Sequence, residues 1–136
     1  MYKRILLPTD GSEASQRAIQ SGVDFARSIG AEVVVMTATP EFHALTANAE
    51  MLEQTRDEYL AASRASSQRL LDQAAAVARD AGVACTVVQL VSDEPYEAII
   101  ATARDTLCDL IVMASHGRRG IKGLLLGSET QKVLVH

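Results

Sequence analysis

The chain has 136 residues, 48% of them hydrophobic and 22% charged, and its 13 basic against 17 acidic residues give a net charge of −4. That balance fits one soluble globular domain spanning residues 1–136 and argues against nucleic acid, which demands a basic face. No run approaches the roughly 18 apolar residues of a membrane span, and the N-terminal apolar stretch is too short for a secretory signal. No membrane partner and a cytoplasmic location are therefore expected. The cysteines, Cys85 and Cys108, lie far apart without metal-ligand or CxxC spacing, which predicts reduced, packed thiols.

Residues 4–7 read as a short buried strand stopped by Pro8. Asp10-Gly11-Ser12-Glu13 then carries helix-start chemistry, a short polar capping side chain with a Glu three residues after Asp10. The next helix places Ala14, Ala18, Gly22, Phe25, Ala26 and Ile29 on one face and stops at Gly30. Residues 31–37 are rich in β-branched side chains and form the second strand, closed by Pro40. Small and polar residues dominate 40–58, which reads as a loop with a loose helical lead-in.

From 59 to 81 the helical period is clear, with Leu60, Leu70, Ala74, Val77, Ala78 and Ala81 on one face and Gly82 at the end. Residues 83–91 are the third strand. Asp93-Glu94-Pro95 opens a helix running to about Thr106, with proline in the first turn where its missing N–H costs little. Residues 109–114 are the fourth strand, and 129–135 read as a last helix behind a glycine-punctuated loop.

Apolar strands alternating with helices imply a doubly wound parallel sheet with helices on both faces, a Rossmann-like α/β fold. Such sheets bind ligands outside the carboxyl ends of their strands, where the strand order reverses. If the first strand is central, Pro8-Thr9-Asp10 and Met113-Ala114-Ser115 line one crevice.

The loop after the fourth strand holds Gly117, Gly120, Gly123 and Gly127 beside Arg118, Arg119 and Lys122. Glycine lets backbone approach an anion, and helix N-terminal amides point at it. The spacing is neither a P-loop nor the GxGxxG fingerprint. Ser128, with Gln131 three residues on, either caps the last helix or stands among amides that receive a phosphate, and Thr130 faces either phosphates or solvent. Asp10 is either a helix cap or a carboxylate that accepts ribose hydroxyls or holds a metal ion such as Mg2+ or Mn2+. His116 is either a turn residue or a contact to ribose or phosphate. No serine or cysteine pairs with a histidine in a recognisable motif, and no paired carboxylates mark acid–base work. The chemistry on offer is binding.

Taken together, Arg4-Ile5-Leu6-Leu7-Pro8-Thr9-Asp10-Gly11-Ser12, Pro95-Tyr96-Glu97-Ala98-Ile99, Met113-Ala114-Ser115-His116-Gly117 and Gly127-Ser128 resemble the universal stress protein family over essentially the whole chain. Its ATP-binding branch carries glycine, two residues, glycine, nine residues, then glycine with serine or threonine. Gly117, residues 118–126 and Gly127-Ser128 are similar to that pattern. The resemblance implies an adenine nucleotide alpha hydrolase-like fold and ATP as ligand. Asp10 would meet the ribose, the Pro8-Thr9 turn would shape the base pocket, and backbone near Ala38 would read adenine. Met113, His116 and Gly117 would contact ribose and phosphates, while Gly127, Ser128, Glu129 and Thr130 would wrap the phosphate chain.

It further implies a homodimeric stress-response sensor or regulator with an unidentified protein partner and at most slow ATP hydrolysis. The alternatives are a nucleotide-independent interaction module of the same fold and a weak ATPase. Two departures stand out. Ala114 occupies the motif's first glycine position, and the strand that family members add after the last helix, where subunits pair, is missing from this chain.

Overall fold

The computed structural model of the chain describes residues 2–40, 49–114 and 122–126, the segments 49–54 and 122–126 by backbone alone. Strands β1 (Arg4–Pro8), β2 (Glu32–Thr39), β3 (Cys85–Val91) and β4 (Leu110–Ala114) alternate with helices α1 (Glu13–Ile29), α2 (Ala49–Asp80) and α3 (Pro95–Asp105). The sheet order is β3-β2-β1-β4, with β5 (Lys122–Leu126) added outside β4. β1 through β4 pair in parallel, as the alternation of apolar runs and helices requires. β5 runs antiparallel, Met113 opposite Gly123 and Ala114 opposite Lys122. This corrects the expectation of a continuous loop over 118–126: Leu124-Leu125-Leu126 is a short apolar run that the neighbouring glycines and basic residues obscured.

Each sheet face has its own core. Ile5, Leu7, Val33, Val35 and Val112 meet Ile19, Val23 and Ala26 of α1 and Leu71, Ala74 and Ala78 of α2. Leu6, Val34, Met36, Ile111 and Met113 meet Ala98, Ile99 and Ala103 of α3, with the Cys108 thiol buried among them. Both cysteines are free, and burial pushes each thiol's pKa up, so both stay protonated. The face of α1 turned inward is Ser15, Ala18, Ile19, Gly22, Val23 and Ala26. Phe25, expected there, lies one position off that stripe and is exposed. Helix α2 begins some ten residues ahead of the clear periodicity, because a polar lead-in rich in Glu, Gln, Met, Leu and Arg has little amphipathic signal yet good helix propensity. β3 is not buried on both faces. It is a sheet edge, with Val87 and Val91 exposed.

The β1–β4 pairing, Ile5 opposite Leu110 and Leu6 opposite Ile111, is tied at its N-terminal end by Asp109. The Asp109 carboxylate accepts the backbone N–H groups of Lys3 and Arg4 at 3.0–3.2 Å. Arg4 in turn bridges to Glu32 at 2.9 Å and donates to the Thr106 carbonyl.

All three helices close with the same pair of reversed hydrogen bonds or its simpler form, in which the residue after the last turn takes the left-handed conformation. Gly30 and Gly82 serve α1 and α2 at φ 72° and 74°. At the end of α3 the position is Leu107, φ 58°, with Leu107 N–H on the Arg104 carbonyl and Cys108 N–H on the Ala103 carbonyl. A left-handed non-glycine residue costs about 1–2 kcal/mol, and Leu107, 79% exposed, recovers little by packing. Leu107→Gly should therefore raise stability by about 1 kcal/mol in urea unfolding, after allowance for the flexibility glycine adds to the unfolded chain. Gly22 has the opposite constraint. A Cβ there would overlap Leu7 Cδ2, and Leu7 is fully buried and cannot yield. Gly22→Ala should lower stability by about 1–3 kcal/mol despite alanine's better helix propensity.

Candidate functional site

The strand order reverses between β1 and β4, since the chain leaves β1 toward β2 on one side and returns to β4 on the other. Outside their carboxyl ends lies a cleft of about 210 Å³. Two walls differ in chemistry. Met36 and Ala38 of β2, Met113 and Ala114 of β4, and Pro95 and Ile99 of α3 make an apolar wall. Pro8, Thr9, Asp10, Ser12 and Ser15 from the β1–α1 turn and first helical turn make a polar one.

The polar wall is locked by hydroxyl groups. Ser12 is the N-cap of α1, its side chain accepting the Ser15 N–H at 3.1 Å. Ser15 Oγ donates to the Ser12 carbonyl at 2.9 Å, so the Thr9 hydroxyl, 3.1 Å from it, is the donor in that contact. Thr9 Oγ1 also accepts the Gly11 N–H. The Asp10 carboxylate accepts the Ser12 N–H at 2.9 Å. Asp10 is thus not the cap that Asp10-Gly11-Ser12-Glu13 suggested. The cap lies two residues on, and Asp10 stays solvent-exposed on the cleft rim.

Ala38 contributes its backbone. The Met36 carbonyl faces β1, where it accepts the Thr9 N–H at 2.9 Å, while the Thr39 carbonyl faces β3 and accepts the Ser92 N–H at 2.8 Å. Peptide groups alternate sides along a strand, so the Ala38 N–H and C=O point the same way as those of Met36, past the end of β1 and toward the cleft. At Ala114 a methyl group replaces the expected hydrogen without strain, because its φ is negative; Leu107 is the non-glycine with positive φ among the described residues.

The structure therefore gathers Pro8, Thr9, Asp10, Ala38 and Met113 around one cleft. His116, Gly117, Gly127, Ser128, Glu129 and Thr130, and the last helix, lie outside the described residues. Sequence reading missed Met36, Ser12, Ser15, Pro95 and Ile99. Met36 could have been found from strand alternation with Ala38, and Pro95 with Ile99 from their spacing on a helix that starts at the carboxyl end of β3. Among the described residues Asp10 is the one carboxylate lining the cleft, and no three His, Cys, Asp or Glu side chains cluster as a metal site. No described helix is long and apolar enough to cross a membrane.

A doubly wound domain with a cleft at its switch point places that cleft where open α/β sheets bind their ligands. A profile of the universal stress protein family matches residues 1–136, and the chain belongs to that family. A universal stress protein of Thermus aquaticus is 32% identical over 144 residues, covering 98% of this chain and 92% of its own. Universal stress protein MJ0577 of Methanocaldococcus jannaschii is 28% identical over 145 residues, covering 98% of this chain and 89% of that protein. Its solved structure superposes with a TM-score of 0.75 over 99% of this chain and 94% of that one, at 26% identity. A universal stress protein of Archaeoglobus fulgidus, solved in complex with dAMP, shares the fold at 20% identity and a TM-score of 0.56, covering 81% and 78%.

The hydroxyl lock makes the polar wall testable. Ser12→Ala should cost about 1 kcal/mol in urea unfolding through loss of the cap. Thr9→Val should cost about 1–3 kcal/mol by leaving the Gly11 N–H and the Ser15 hydroxyl without Thr9 Oγ1.

Proposed function

We propose that the chain is an ATP-binding universal stress protein, a dimeric sensor or regulator in which nucleotide occupancy sets the choice of a protein partner. The observation that carries this reading is the two-walled cleft at the β1–β4 switch point. Its apolar wall of Met36, Ile99 and Met113 suits a flat heteroaromatic ring. The Ala38 peptide edge offers the donor and acceptor that adenine's own edge complements. Asp10 stands on the polar rim, where a carboxylate accepts ribose hydroxyls. A cleft of about 210 Å³ suits the base-and-sugar half of a nucleotide, which leaves the phosphates outside the apolar wall, on the side of the Asp10 rim. A dAMP complex of a family member with this fold supports the choice of adenine.

A divalent ion, Mg2+ or Mn2+, would sit on the phosphates, with Asp10 the described carboxylate nearest to hand. The walls hold and orient the nucleotide and exclude water from the base. On this reading hydrolysis is slow at most, the described lining residues setting no histidine or cysteine beside a hydroxyl. Two free thiols fit a reducing compartment such as the cytoplasm.

ATP with Mg2+ should raise the melting temperature, by the equivalent of about 2.7 kcal/mol at a hundredfold excess over Kd. Asp10→Asn keeps an acceptor for the Ser12 N–H but removes the charge, and should lose most of that shift while melting normally without ligand. No shift at millimolar ATP in the parent protein would overturn the reading and leave the nucleotide-independent interaction module in its place. Multiple-turnover phosphate release lost in Asp10→Asn would instead identify an ATPase.

A further inference from the structure

The outer edge of β3 is open, and the segment that forms it lacks the features that keep strand edges apart. Cys85–Val91 includes no charge, proline or glycine, where edges are ordinarily guarded by lysine, proline or a bulge. Backbone direction follows from two hydrogen bonds to β2. The Ala84 carbonyl accepts the Val33 N–H, and the Ser92 N–H donates to the Thr39 carbonyl. Even-numbered residues from 84 to 92 therefore turn their peptide groups toward β2, and Cys85, Val87, Gln89 and Val91 turn theirs outward. Among the described residues no strand pairs with that outward row.

Both faces beside the edge are apolar. Helix α2 packs over β2 and β3, yet Val87 and Val91 on its side are 40% and 55% exposed. On the opposite face Val88 and Leu90 are only partly buried against the core. An added strand covers both pairs at once, so its occupant needs apolar side chains on both of its own faces.

Charge sets the rest of the occupant's chemistry. At the carboxyl end of the edge the chain enters α3 through exposed Asp93 and Glu94, with exposed Glu97 in the first helical turn. No lysine, arginine or histidine lies between Ser92 and Ala103. Tyr96, 52% exposed, adds a ring face that suits a cation. A second copy of the chain does not supply the complement. Paired antiparallel about a two-fold axis, it brings its residues 79–84 to the acidic turn, where Arg79 and Asp80 cancel.

We propose that the β3 edge takes up an extended segment of a different protein as an added strand, apolar on both faces and preceded by lysine or arginine. Antiparallel pairing is the more stable arrangement, and it sets the residues ahead of the apolar run beside the acidic turn. Main-chain hydrogen bonds to Val87, Gln89 and Val91 supply affinity, and the carboxylates fix the direction. The surface is independent of nucleotide binding.

The probe is an acetylated peptide of two lysines followed by Val-Thr-Val-Val-Thr-Val, added to the full chain. It should slow hydrogen exchange at the Val87, Gln89 and Val91 amides about tenfold or more, with little change at Val88 and Leu90, which already bond to β2. Val87→Pro removes an outward N–H without touching the ladder to β2, and should abolish peptide binding. Val87→Lys, which keeps that N–H, should weaken binding with an unchanged urea midpoint. Glu94→Gln with Glu97→Gln should weaken the peptide about fivefold and leave a version with glutamine for lysine unaffected. No saturable binding at millimolar peptide overturns the proposal, as does binding that leaves the outward amides unprotected. Equal affinity for peptides with the lysines moved to the carboxyl end, or replaced by glutamates, overturns it too. A parent dimer that Val87→Lys dissolves gives the edge to a second copy and overturns it as well.

Discussion

The pairing of β1 with β4 is the constraint on which the rest depends. Two segments a hundred residues apart in the chain become neighbours there, and the direction of winding reverses. Without that reversal no crevice opens at the carboxyl ends, and Asp10 and Met113 belong to unrelated parts of the surface. The pairing is brief, so it draws on the two cores that clamp it from either side and on Asp109, which fastens β1 from below. Close approach of α1 at Gly22 presses Leu7 into the same joint.

The difference between the cleft's walls follows from strand alternation. Even-numbered positions of β2 face α3, so Met36 and Ala38 join Ile99 on the apolar side. The opposite wall comes from a turn, where short hydroxyl side chains satisfy backbone groups that a strand or a helix would otherwise leave open. Thr9, Ser12 and Ser15 donate and accept in one direction, each with a fixed role. That order leaves the Asp10 carboxylate projecting from a rigid turn instead of a mobile one.

Much of this was legible in the residues. Apolar runs located the four parallel strands, glycines marked two of three helix ends, and the position of Pro8-Thr9-Asp10 after a central strand pointed to the crevice. The failures share a cause: the deciding information is tertiary. β3 reads as a buried strand because its side chains are β-branched, but its edge position comes from topology. The start of α2 is invisible because its polar lead-in carries no regular apolar stripe in the sequence. Leu107 gave no sign of its backbone conformation, since nothing in leucine suggests the left-handed region, and Met36 and Ile99 look like ordinary core until the cleft is built around them.

Asp109 holds β1 through main-chain donors. The peptide N–H groups of Lys3 and Arg4 exist whatever side chains those positions carry, proline excepted, so this tie is indifferent to other drift at either of them. The whole specification falls on one carboxylate of the right length. A conservative change to glutamate there would disturb the tie more than a radical change at Lys3, and variation among relatives should be distributed as unevenly as the chemistry.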